Sequence, residues 1–188
     1  TVLNVQRSYG NWTPRNGSKA RYGQQVPLRW GLQQSNNWIS AYLISLLGPS
    51  QFVSILHDFG LNNPDIDKNT SPVLCLGPSE LSVGEMCSAY TTFVNRGVRC
   101  APLFVTRIED SHGNIVAKFQ PLMNEVISEE SSYKMLDMLQ AVVQGGTGGR
   151  LRYHYNLTGE IGGKTGTTNK NSDGWFMGFT PQLVNGCW

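Results

Sequence analysis

Along much of this sequence apolar residues recur every three or four positions, the spacing that lines one face of a helix. From Pro27, a good first-turn residue, Leu28, Leu32, Ile39, Leu43 and Leu47 predict two helical stretches. They flank the polar break Gln33-Gln34-Ser35-Asn36-Asn37, and Gly48-Pro49 stops the second. A short helix is predicted over 50–59, ending at Gly60, and the Asn, Asp and Pro residues of 62–72 read as a loop. Ser82-Val83-Gly84-Glu85 is a capping-box pattern that opens a helix carried by Met86, Cys87, Tyr90, Phe93 and Val94 and closed by Gly97. The pattern then becomes β-rich over 103–108 and 115–119, and residues 110–114 read as the turn of a hairpin. A further helix is predicted from about Ser128 to Val143, with Glu129 and Glu130 in its first turn, before Gly145-Gly146-Thr147-Gly148-Gly149 breaks it. Short β segments follow around 162–167 and 175–180, while residues 1–25 read as an irregular lead-in. Strands gathered beyond a helix-rich middle predict an α+β fold with helices packed on an antiparallel sheet.

Composition narrows the class. At 188 residues with 39% hydrophobic side chains, the chain is long enough to bury a core and reads as one domain, 1–188. No apolar run approaches the roughly 20 residues of a membrane-spanning helix. Fifteen basic and 13 acidic side chains give a net charge of +2 with no basic block, so the charge pattern offers no footprint for nucleic acid. Cys75, Cys87, Cys100 and Cys187 form no CxxC pair and no cysteine–histidine cluster suited to zinc, and read as buried thiols with a disulfide left open.

The chemistry-bearing segments are two. Gly162-Gly163-Lys164-Thr165-Gly166-Thr167-Thr168 places a cation, hydroxyls and backbone amides in one short strand, a set suited to an anion. It is not a phosphate loop, which would require glycine where Thr158 stands. Ser35-Asn36-Asn37, at the polar break, can turn its side chains to a cleft. Together they match the SxN and KTG motifs of serine acyl-transferases that act on penicillin-like substrates.

The match extends further, through Trp12-Thr13-Pro14-Arg15-Asn16, Val26-Pro27-Leu28-Arg29, Leu81-Ser82-Val83, Ala89-Tyr90, Asn95-Arg96-Gly97, Gly146-Thr147-Gly148 and Asp173-Gly174-Trp175-Phe176-Met177-Gly178-Phe179-Thr180-Pro181. On these residues the chain resembles the transpeptidase domain of class A, bifunctional penicillin-binding proteins. One feature departs from that family: its nucleophile is the serine of an SxxK motif preceding SxN, and here the residue three before Lys19 is Asn16. The one SxxK in the sequence, Ser131-Ser132-Tyr133-Lys134, follows SxN and reads as the solvated start of a helix. The resemblance therefore implies a penicillin-binding fold incomplete at both ends, with the catalytic serine upstream of Thr1 and a further strand and helix beyond Trp188.

The resemblance also implies the chemistry: acyl transfer on the D-alanyl-D-alanine end of a peptidoglycan stem peptide, with β-lactams trapped as acyl adducts and with no cofactor or metal. Ser35, Asn37 and Lys164 would be the catalytic members, Ser35 relaying a proton, Asn37 bonding the substrate amide and Lys164 polarising Ser35. Thr165, Gly166 and Thr167 would form the substrate-binding strand, the two hydroxyls holding a carboxylate and the Thr167 N–H contributing to an oxyanion hole. Lys170 reads as solvated, and Gly146-Thr147-Gly148 has no chemical role assigned. The parent would be tethered to the cytoplasmic membrane on its outer, periplasmic side, behind a glycosyltransferase domain. Two alternatives are a non-catalytic sensor on the same scaffold and a serine β-lactamase; the intact Ser35, Asn37, Lys164 set weighs against the first and the 173–181 block against the second.

Overall fold

The structure, a computed structural model, describes residues 1–68, 71–168 and 172–188. Local sequence signals set most helix ends. Helix α1 (Leu28–Gln33) follows extended Pro27, and α2 (Asn37–Leu47) is capped by Asn36, whose side chain accepts from the Ile39 N–H. Gly48, at φ 87°, turns the chain into α3 (Pro49–Asp58), which has proline in its first turn. Helix α5 (Val83–Val94) opens with the expected reciprocal capping box between Ser82 and Glu85. Helix α6 (Glu129–Gly145) is capped by Ser128 and carries both glutamates at its positive end.

The strands form small antiparallel units. β1 (Val2–Leu3) pairs with β2 (Gln25–Val26), and β3 (Val98–Cys100) pairs with β6 (Met123–Glu125) at the base of the β4 (Arg107–Glu109)–β5 (Ile115–Lys118) hairpin. Asp110 closes that hairpin by accepting from the His112 and Asn114 N–H groups. The last sheet has the order β7 (Gly162–Thr167), β8 (Gly174–Phe179), β9 (Val184–Cys187), antiparallel throughout. α6 packs along β7 and α1, and α5 covers β9 and β8. Ala141, Val142 and Val143 of α6 are fully buried. Separate clusters form around Phe59, Leu61, Ile66 and Ala89, and around Val2, Val26 and Ile39.

Several elements depart from the sequence expectation. The predicted loop 62–72 holds the helical turn α4 (Pro64–Lys68), too short for a periodic pattern but started by Pro64 and carrying Asp65 and Asp67 in its first turn; a 3-10 turn follows at Pro72–Leu76. The lead-in 1–25 is irregular except at its ends, where β1 and β2 pair, and at the Tyr9–Trp12 bridge. The turn α7 (Arg150–Tyr153), the pair β3–β6 and strand β9 carry three or four residues each, too few for a periodic pattern to mark them. The thiols are also less enclosed than expected: all four are free, three are partly buried and Cys187 is exposed. Burial still pushes the Cys75 thiol up to about 11.

Candidate active site

Ser35 sits at the joint between two helix ends. The Ser35 N–H donates to Leu32 O at 3.0 Å and the Asn36 N–H to Gly31 O at 2.9 Å, the paired bonds that close a helix through a left-handed residue. Glycine is usual at that position, yet Ser35 adopts φ 52°, at a cost of about 1–2 kcal/mol for an L-residue. The next residue, Asn36, already caps α2, so the turn has no slack. Asn36 is buried, and its Nδ2 donates to Asn4 Oδ1 at 3.0 Å; Asn4 in turn donates to the Ala20 and Arg21 carbonyls. The segment Trp12–Asn16 braces the start of α2 from outside. Trp38 Nε1 donates to Pro14 O, the Asn37 N–H to Asn16 Oδ1, and Asn37 Nδ2 to Arg15 O at 2.7 Å.

Lys164 arrives on β7, which α6 and β8 clamp from two sides. A Cβ on Gly163 would lie 2.6 Å from Met177 O and from the Phe176 ring, so only glycine lets β8 pack this closely. Lys164 Nζ donates to Ser35 Oγ at 2.8 Å and to Thr165 O at 2.7 Å, joining residues 129 apart in sequence. Burial lowers the Lys164 ammonium from the ordinary 10.5 to about 8.

Ser35, Asn37, Thr165 and Thr167 line one cleft of about 440 Å³, with Asn16, Trp30, Gln34 and Thr147. Lys164 does not line this cleft itself; partly buried on the other face of β7, its ammonium reaches Ser35 Oγ and can polarise that hydroxyl. Gly166 is also absent from the lining; its Cα turns toward Trp175, where a Cβ would sit 3.1 Å from the Trp175 Cβ. Alternation along a strand explains this, since Thr165 and Thr167 share the opposite face. Ser131 lies in the exposed first turn of α6 beside its cap Ser128, and Lys134 pairs with Glu130 instead of with the serine. Lys170 lies outside the described residues.

The residues that hold the two halves of the cleft together were not read from the sequence. The Thr147 N–H donates to Gln33 O at 3.1 Å, Gln33 Nε2 donates to Ala141 O, and Arg29 bonds Asp137 at 2.9 Å and Gln144 at 3.3 Å. Thus α1 is bound to α6 just before Ser35. A Cβ on Gly146 would stand 2.2 Å from Gln33 O, so glycine there is a condition of the close approach. The Gly146-Thr147-Gly148 motif was the available signal; its partner, a backbone oxygen, has no sequence signature.

The arrangement can polarise a hydroxyl and hold an anion, and proteins built this way are recognisable in sequence and in structure. The penicillin binding protein transpeptidase domain family matches residues 2–186. Penicillin-binding protein 1A of Aquifex aeolicus (strain VF5) is 33% identical over 180 residues, covering 95% of this chain and 23% of the relative; that of Clostridium novyi (strain NT) is 33% identical over 182, covering 95% and 21%. The chain therefore spans less than a quarter of the length of these curated relatives. The crystal structure of penicillin-binding protein 1A from Haemophilus influenzae superposes with a TM-score of 0.85 at 25% identity, over 98% of this chain and 33% of that one. On the family match over almost its whole length, this chain belongs to the penicillin-binding protein transpeptidase domain family.

Proposed function

We propose that residues 1–188 form part of one transpeptidase domain that cross-links peptidoglycan stem peptides by serine acyl transfer and is acylated by β-lactams. The observation that carries this reading is the 2.8 Å contact from Lys164 Nζ to Ser35 Oγ beside a wall bearing Thr165 and Thr167. A serine outside these 188 residues attacks the penultimate D-alanyl carbonyl, its proton passing to the lysine of its own SxxK motif, and D-alanine leaves. Ser35 accepts from Lys164 and so keeps its own hydrogen for the leaving amine, while Lys164 returns a proton to it. The Thr165 and Thr167 hydroxyls bind the terminal carboxylate, and the partly buried Lys164 ammonium on the same strand favours that charge. With its Nδ2 bonded to Arg15 O, Asn37 offers the substrate amide N–H its Oδ1. An amine of a second stem peptide then resolves the acyl-enzyme. On this reading the parent acts on the outer face of the cytoplasmic membrane with a glycosyltransferase domain ahead of this one, which the likeness to penicillin-binding protein 1A relatives supports.

Intact-mass labelling with a fluorescent penicillin tests the reading. The full-length protein takes up one label at a serine other than Ser131, and Lys164→Ala slows acylation at least a hundredfold while Lys118→Ala, on exposed β5, does not. A label on Ser131, or equal rates in the two lysine variants, refutes it.

A further inference from the structure

The Gly146-Thr147-Gly148 turn reaches the cleft with one hydroxyl that the proposed chemistry leaves unused. Thr147 Oγ1 lies 2.7 Å from Thr165 Oγ1, and both side chains line the cleft. The same residue's N–H holds Gln33 O, two positions before Ser35. Thr147 is thereby bonded through its backbone to the segment carrying Ser35 and through its side chain to the strand carrying Lys164.

A hydroxyl has one hydrogen to donate and two lone pairs to accept with. When two hydroxyls pair, one hydrogen is spent between them and the other stays free. If Thr165 donates to an anion in the cleft, the remaining order has Thr147 donating to Thr165. That donation fixes the Thr165 rotamer, orients its hydrogen into the cleft and strengthens it as a donor, because hydrogen bonds in series polarise one another. Neutral ligands gain little from this, since hydrogen bonds to ionised acceptors are about twice as strong.

We propose that Thr147 is a positioning residue for ligand carboxylates, acting through the Thr165 hydroxyl and sharpening the preference for anionic over neutral acyl donors. The proposal rests on the reading of Thr165 as a carboxylate-binding residue, and the experiment separates the two. In the full-length protein, second-order acylation rate constants are measured with a penicillin and with its methyl ester for Thr147→Val, Thr147→Ser, Thr165→Val and the double valine variant. Thr147→Val is expected to slow the acid about three- to tenfold, the worth of one hydrogen bond. It leaves the ester within twofold, Thr147→Ser restores the acid rate, and adding Thr147→Val to Thr165→Val costs nothing more. An equal loss on acid and ester, a failure of serine to rescue, or a full additional loss in the double variant overturns the proposal by showing that Thr147 acts only through its turn. If Thr165→Val is selective for the acid and Thr147→Val is not, the positioning role falls and the carboxylate site stands. If Thr165→Val does not distinguish acid from ester, the carboxylate reading falls and this proposal with it.

Discussion

Replacing Gly146 by alanine adds one methyl group where the structure has no room for it. Its Cβ would lie 2.2 Å from Gln33 O, 2.7 Å from Gln33 Cγ and 2.9 Å from Val142 O, against ordinary contacts of 3.4–4 Å. Two of these are backbone oxygens at the end of α6 and before Ser35, so rotamer changes cannot relieve the overlap. Separation by about 1 Å breaks the 3.1 Å bond from the Thr147 N–H to Gln33 O. Overpacking typically costs about 1–3 kcal/mol and a lost hydrogen bond about 0.5–1.5, which together predict a destabilisation of roughly 2–4 kcal/mol. Ser35 lies two residues further along, and a displacement of about 1 Å at a reacting centre can cost on the order of 100-fold in rate. Gly145→Ala is the control: its nearest neighbour would be Gln33 Nε2 at 3.5 Å, and alanine at a helix end is neutral or favourable. Urea unfolding of the domain and penicillin acylation of the full-length protein are the assays. Indistinguishable Gly145→Ala and Gly146→Ala variants, in both stability and rate, would refute the reasoning that α6 and the Ser35 turn are locked by backbone contact.

The left-handed conformation of Ser35 separates two variants that both remove its hydroxyl. Ser35→Gly and Ser35→Ala should each abolish acylation, but glycine should leave the protein about 1 kcal/mol more stable than alanine, the reverse of their order in a helix; equal denaturation midpoints would count against the strained turn. The lowered value of Lys164 predicts a pH dependence of opposite sense for stability and activity. Below pH 8 the lysine is charged in both folded and unfolded states and its burial cost is fully present; from about pH 8 to 10.5 the folded state sheds its proton first, so stability rises with pH. Acylation should fall over the same rise as the ammonium is lost. Lys164→Met should flatten the stability change between pH 7 and pH 10, and an unaltered pH profile in that variant would show that another group titrates.

Local signals were enough wherever one residue's chemistry acts on its own neighbours. Ser82 with Glu85, Ser128 ahead of two glutamates, and Gly48-Pro49 each mark a helix boundary within four residues, and the structure places the boundaries there. The site motifs were legible for the same reason, because a lysine among glycines and threonines in one strand already suggests an anion. Elements stabilised from a distance were harder to read: β1 is two residues long and exists because Gln25–Val26 lies beside it, and α4 is a single turn, too short for a period, that Ile66 anchors in the core.

The sequence by itself therefore determined the longer helices, the chemistry available on 35–37 and 164–167, and the family whose motifs these are. Only the tertiary structure decided how the motifs meet. It brought the Lys164 ammonium to the Ser35 hydroxyl and set Gly146-Thr147-Gly148 between the Ser35 turn and the Thr165 strand. The physical reason is that these outcomes depend on backbone oxygens and strand faces brought together across more than 100 residues, and a backbone oxygen is the same atom in every residue type.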